Sequence, residues 1–275
     1  MSQNQTISVD FAHPDFIFTN KALNDFISGE YDFNDDEIVD YFINLMKSCT
    51  LRIGAFPIEL FLNENYPEFP LLAQTLRFYN YKENMVQTTV RNIFLGIVKS
   101  KNPICQEFLC CYPYIKYFVF LVSFARDNWF KIDKKLLDSL VSTASTKGFR
   151  DLIEDNIDVL LYLEDMASVG NPKLEQILVN ALLAYAILPA LFGSFTFTKK
   201  GSLSINFAIF LLYQLFRYFR HQRMHDVLGM CLFSPTIDSG LLGYITSPPA
   251  DPFDYAPIWN NSPVFAKERE FCRVQ

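Results

Sequence analysis

The stretch RHQRMHD, residues 220 to 226, sets His221 and His225 four residues apart, the spacing at which two imidazoles on one helix face ligate zinc. In a hydrolase of the HExxH type a glutamate follows the first histidine and acts as general base, but here Gln222 holds that place. With a third ligand from elsewhere, His221 and His225 would describe a zinc-dependent hydrolase. The incomplete pattern predicts no metal. His13 is the only other histidine, and no serine or cysteine nucleophile elbow is recognisable. Neither GxGxxG nor GxxxxGK occurs, so no glycine loop cradles a phosphate. Cys49, Cys105, Cys110, Cys111, Cys231 and Cys272 form no CxxC pair and follow a start, MSQNQTISVD, without an export signal, so they are expected to be thiols. Glu164 with Asp165 and Asp155 with Asp158 read as solvated helix faces. These residues predict no catalytic site, no cofactor and no enzyme activity.

Binding chemistry is better represented. FRYFRHQRMH places Arg217, Arg220 and Arg223 among Phe216 and Phe219, a basic helix suited to anionic lipid or an acidic partner, or a surface face over a core stripe. Further on, DPFDYAPIW carries Phe253 and Trp259 in a segment expected to dock on a partner or on its own domain. Asp251, Pro252 and Phe253 also match the tripeptide with which endocytic proteins bind clathrin-adaptor appendages. A formal charge of −6 argues against nucleic acid as a partner. The uncharged run Ile177 to Phe197 is long enough to span a bilayer of about 30 Å, yet Asn180, Pro189 and Gly193 interrupt it, and a buried helix has the same hydropathy.

The elements that would carry these residues are helical. Half the residues are hydrophobic, with 28 Phe and 14 Tyr, which supports a large core. A first helix is expected within residues 33–53, capped by Asn34 and led by Asp35, Asp36 and Glu37, with Ile38, Tyr41, Phe42, Leu45, Met46 and Cys49 at helical spacing. A short helix over 56–63 follows. Next, Phe69, Leu72, Ala73, Leu76 and Tyr79 make one stripe, YKEN breaks it, and Val86, Val90, Ile93, Phe94 and Ile97 make another, which predicts a helical hairpin. Further helices are expected over 103–111, 113–127, 149–166, 172–192 and 204–232. Their pairing at the size of a helical repeat predicts an all-α, armadillo/HEAT-like α-solenoid of paired antiparallel helices, with an irregular α-bundle as the alternative. Residues 234–275 hold six prolines and lose the helical period, so an extended Pro-rich C-terminal tail is expected. The expected division is therefore a flexible segment 1–14, a helical domain 15–127, continuing repeats 128–233 and the tail 234–275.

Several separated blocks also resemble one family. FPLLAQTLRFYNYKENMVQTTVRNIFLGIVK begins with Phe69, Pro70 and Leu71 and resembles the FPL domain, which is named for that tripeptide. FRDLIEDNIDVLLYLEDMASVGNPKLEQILVNALLAYAILPAL and IFLLYQLFRYFRH resemble the helices that follow it, so the likeness runs from about residue 15 to 232. The resemblance implies a cytoplasmic helical-repeat protein, peripheral on endosomal or Golgi-derived membranes. It also implies a role in trafficking, lysosomal or vacuolar delivery and autophagy, through protein partners and without a catalytic residue. Larger members carry a longer helical array, so the first helices here are expected to present an uncapped edge, and the ubiquitin-ligase links of those members are not carried over. Three readings follow: a non-enzymatic trafficking scaffold, a small protein anchored through 177–197, and the zinc hydrolase. The resemblance favours the first.

Overall fold

A computed structural model describes residues 22–53, 61, 69–110, 114–141, 147–196, 202–234, 236 and 239–246. Among these residues the secondary structure is helical and contains no strand, so the chain is all-α. The expected helix over 56–63 lies outside the described residues, Phe61 excepted. The chain divides into two compact units, residues 1–108 and 109–275.

The first unit contains α1 (Ala22–Ile27), α2 (Asp36–Thr50), α3 (Pro70–Leu76) and α4 (Asn84–Val98). The cap of α2 is Asp35, not Asn34, and its carboxylate accepts the Glu37 N–H at 2.9 Å. Asn34 is drawn away because its backbone and side-chain N–H groups both donate to Asp32 Oδ1, at 3.1 and 2.8 Å. The expected hairpin is present as α3 and α4, which pack on each other and on α2. Val90, Ile93, Phe94 and Ile97 of α4 are buried as expected, whereas the buried stripe of α2 is turned from the expected one: Phe42, Met46 and Cys49 are buried, but with Val39 and Ile43, while Ile38 and Leu45 are half-buried and Tyr41 is 68% exposed. Gly96 lets these two helices approach closely, since a Cβ there would lie 2.5 Å from Thr50 Cγ2. Phe33 packs edge-on to Phe78 at 4.9 Å and lies 5.1 Å from Phe42, with the Arg77 guanidinium 5.0 Å from its ring centre. Helix α5 (Pro103–Leu109) follows, and the first unit ends at Phe108.

The second unit begins with α6 (Ile115–Val141), a 27-residue helix that runs unbroken through position 127. It packs on α7 (Lys147–Ala167) through two buried polar contacts. Trp129 Nε1 donates to Asn156 Oδ1 at 2.8 Å, and the hydroxyls of Tyr117 and Tyr162 meet at 2.9 Å. Gly170, at φ +87°, turns the chain in the left-handed region that glycine tolerates best, and Asn171 then caps α8 by accepting the N–H groups of Lys173 and Leu174.

Helix α8 (Pro172–Thr196) is α-helical to Ala181, π-helical over Leu182–Phe192 and α-helical again from Gly193. The π segment contains Pro189, whose ring and missing N–H do not suit a regular i→i−4 ladder. Helices α9 (Ile205–Tyr218) and α10 (Gln222–Phe233) replace the single helix expected over 204–232. The break falls at Phe219, which has extended φ −100°, ψ 113° and a side chain of 0% exposure. Burial of that ring and capture of the Arg220 N–H by Glu164 Oε2 at 3.1 Å hold the bend. The region expected to be an extended tail contains α11 (Ser239–Thr246), whose Leu241 and Ile245 are buried as α11 packs on the π segment. One helical turn separates those two residues, enough for tertiary burial to favour a helix that local periodicity did not announce.

Candidate functional site

The bend between α9 and α10 faces the α7–α8 turn across an open cleft of about 770 Å³. Its lining mixes acids (Glu164, Glu175, Asp226) with Arg220, His221 and Arg223. The α7 carboxylate Glu164 accepts both the Ser168 hydroxyl, at 3.1 Å, and the Arg220 N–H. Glu175, in the first turns of α8, pairs with His221 Nε2. On α10, Gln222 Nε2 donates to Asp226 Oδ1 at 2.8 Å. The Glu164–Arg220 and Glu175–His221 contacts join different elements, and the other two are local. Each of the three carboxylates accepts at least one hydrogen bond.

The two histidines expected on one helix face occupy different settings. His221 precedes α10 and turns to Glu175, whereas His225 lies inside α10 and donates from Nε2 to the Phe219 carbonyl at 2.6 Å, with its ring 5.4 Å from Phe216. Among the described residues, no three His, Cys, Asp or Glu side chains converge to hold a metal ion. The three arginines are likewise divided: Arg217 ends α9, Arg220 sits in the bend and Arg223 lies on α10. Arg217 donates to the Tyr213 hydroxyl at 3.2 Å and lies 5.3 Å from the Tyr218 ring centre, while Arg220 and Arg223 line the cleft. The basic segment is therefore a bent corner, because Phe219 is worth more to the core than to a continuous helix.

The described thiols suit packing, not nucleophilic attack. Burial raises Cys49 and Cys231 to about 11, and it raises Cys105 to about 12 against a smaller opposing effect of a hydrogen bond from Ser100. Each is then protonated at neutral pH.

Phe69, Pro70 and Leu71 make a helix start. Phe69 takes the cap position with a fully buried ring 6.0 Å from Phe108, Pro70 supplies the fixed φ of the first helical residue, and Leu71 is fully buried. Asp251, Pro252, Phe253 and Trp259 lie outside the described residues.

Sequence reasoning missed one anchoring residue. Asp133, 4% exposed within α6, accepts the Ser204 N–H at 2.7 Å and the Ser204 hydroxyl, and Ser204 in turn caps α9 by accepting the Phe207 N–H. No local pattern announces a contact across 71 positions. A buried-side Asp in an apolar helix stripe was the available signal.

Taken together, the fold defines a class: an all-helical protein whose polar side chains join helices to one another. Residues 12–98 match the FPL family model, described as "Uncharacterised conserved protein", which is the similarity that the sequence blocks in that part of the chain indicated. It is 23% identical over 227 residues to Protein TRANSPARENT TESTA 9 of Arabidopsis thaliana, covering 80% of this chain and 27% of that protein. It is 28% identical over 224 residues to Protein CLEC16A of Homo sapiens, covering 78% and 21%. The CLEC16A homolog of Drosophila melanogaster is 27% identical over 181 residues, covering 66% and 17%. The chain thus spans only about a quarter or less of the length of these relatives. No solved structure matches it.

Proposed function

We propose that this chain is a non-enzymatic scaffold in membrane trafficking, acting at endosomal or Golgi-derived membranes in lysosomal or vacuolar delivery and autophagy. The carrying observation is that its similarity to the plant and human relatives extends over 80% and 78% of the chain, so the shared property is the helical array and not one motif. The protonated thiols and the helix-joining carboxylates support a binding role over a catalytic one. In this reading the paired helices form an armadillo-like solenoid that offers protein partners an extended surface. The proline-rich segment after α11 supplies a linear motif, Asp251-Pro252-Phe253 with Trp259, for an adaptor appendage.

The membrane-anchored alternative would use α8. The apolar window of that helix has a mean hydropathy of 1.9, but 89% of it is buried within the protein, packed by α6, α9 and α11. Alkaline carbonate should therefore release the chain from membranes, and retention in the pellet would favour a span.

Proximity labelling of the tagged full chain in its own cells tests the scaffold. Enrichment of endosomal, Golgi or autophagy proteins is expected, with loss of adaptors alone in Phe253→Ala. A neighbourhood without trafficking proteins would overturn the reading.

A further inference from the structure

The Ser-Pro dipeptides of the chain are Ser234-Pro235, Ser247-Pro248 and Ser262-Pro263, and all of them follow α10. No Thr-Pro dipeptide occurs, and the prolines before α10 follow other residue types. Ser-Pro is the acceptor pattern of kinases whose pocket for the next residue gives a backbone N–H nothing to bond. Proline, which has no N–H, is therefore selected there.

The fold presents Ser234 to such an enzyme. It is the exposed C-terminal cap of α10, with φ −74° and ψ 133°. This is the extended backbone that a following proline favours, and the form in which a kinase threads an acceptor past its nucleotide. The Ser234 N–H donates to the Met230 carbonyl at 3.0 Å, and its hydroxyl donates to the Thr236 carbonyl at 2.7 Å. None of the described residues from Gly229 to Ser239 is buried, and Phe233 is 83% exposed. The buried residues of α10, Met224, Val227 and Leu228, all precede this last turn. It can therefore unwind onto an enzyme without opening the core.

We infer that Ser234 is the acceptor of a proline-directed protein kinase, and that its phosphate frays the last turn of α10. In the transfer, Ser234 Oγ attacks the γ-phosphorus of ATP while the kinase's catalytic aspartate takes the hydroxyl proton, the bond to the β-phosphate oxygen breaks, and ADP leaves. The product adds a charge of about −1.5 to −2 at the C-terminal end of α10, where the helix dipole is already negative. It also removes the proton that the hydroxyl gives to Thr236. No Lys or Arg occurs between Arg223 and Lys267, so the local sequence supplies no cation to hold the phosphate in place.

The test uses the purified full chain carrying Ser247→Ala and Ser262→Ala, which leaves Ser234 as its Ser-Pro serine. The chain is incubated with ATP, Mg²⁺ and a mitogen-activated or a cyclin-dependent kinase, beside the free peptide of residues 229–239, and phosphate is located by mass spectrometry. At least one kinase is expected to modify Ser234 of the chain within about tenfold of the peptide's rate, because opening an exposed helix end costs little. Adding Pro235→Ala should abolish the transfer, with unchanged thermal unfolding to confirm that the variants are folded. Amide exchange at Ser234 should be several-fold faster in the phosphorylated chain, with Leu228 unaltered. Refusal of chain and peptide alike, a chain far slower than the peptide, or transfer that survives Pro235→Ala would each overturn the acceptor assignment. Unchanged exchange at Ser234 after phosphorylation would overturn the fraying.

Discussion

Removing the Asp133 carboxylate should loosen the start of α9 while leaving the first unit untouched. In the folded chain this carboxylate takes the Ser204 N–H at 2.7 Å and orients the Ser204 hydroxyl, which then receives the Phe207 N–H. Bonds to a charged acceptor contribute about 1.5–3 kcal/mol each, offset by the cost of holding a carboxylate that is 4% exposed. Loss of the cap's orientation adds about 0.5–2 kcal/mol. The net expectation for Asp133→Ala is a destabilisation of about 2–4 kcal/mol, and about half of that for Asp133→Asn, which keeps one acceptor oxygen. With a urea slope of about 2 kcal/mol/M, the alanine variant should unfold roughly 1–2 M earlier. Fully buried Trp129 can report this by fluorescence in a Trp259→Phe background. Hydrogen exchange should show lost protection at Phe207 and Ala208, with Val90 to Ile97 of α4 unchanged. A midpoint equal to wild type, with unaltered exchange in the first turn of α9, would refute the anchoring role.

Other expectations follow from single contacts. Gly96→Ala should destabilise the first unit by about 1–3 kcal/mol in urea unfolding, because its Cβ meets Thr50 Cγ2 at 2.5 Å. Thr50→Ser, which removes that methyl, should restore most of the loss, and no rescue would assign the cost elsewhere. Asp36 is held below its ordinary 3.8 first by the hydrogen bond from Lys82 and then by that from Tyr81. Its contribution is therefore present above pH 3.8 and fades as pH falls through the lower folded value, so Lys82→Ala should move the carboxyl titration upward in NMR. An unmoved titration would contradict the pairing. Cys49 and Cys105, raised to about 11 and 12, should label slowly at pH 7.5 in the native chain and gain about tenfold per pH unit. Labelling of Cys105 as fast as in urea would place it outside the core.

Much of the local structure was legible in the residues themselves. The α3–α4 hairpin followed from stripes such as Val86, Val90, Ile93 and Ile97, which share one face at 3.6 residues per turn whatever surrounds them. Asn171 before Pro172 marks a helix start by the same local logic, since a side-chain acceptor and a fixed φ act within one turn. The family likeness was also carried by the chain alone, in blocks that keep their order.

Other features depended on contacts across many positions. Periodicity ran through Phe219, but a buried pocket for its ring and the Glu164 carboxylate outweighed two turns of uninterrupted helix, and that break parted His221 from His225 and bent the arginines into a corner. Leu241 and Ile245 became a helix because the π segment offered them a surface. Hydropathy gave α8 and α9 similar apolar faces; packing covered one and left the other facing outward. Local sequence determines which faces are apolar, through spacing alone. Which of those faces is covered depends on the other helices, because burial is a property of the assembled neighbours and not of the segment.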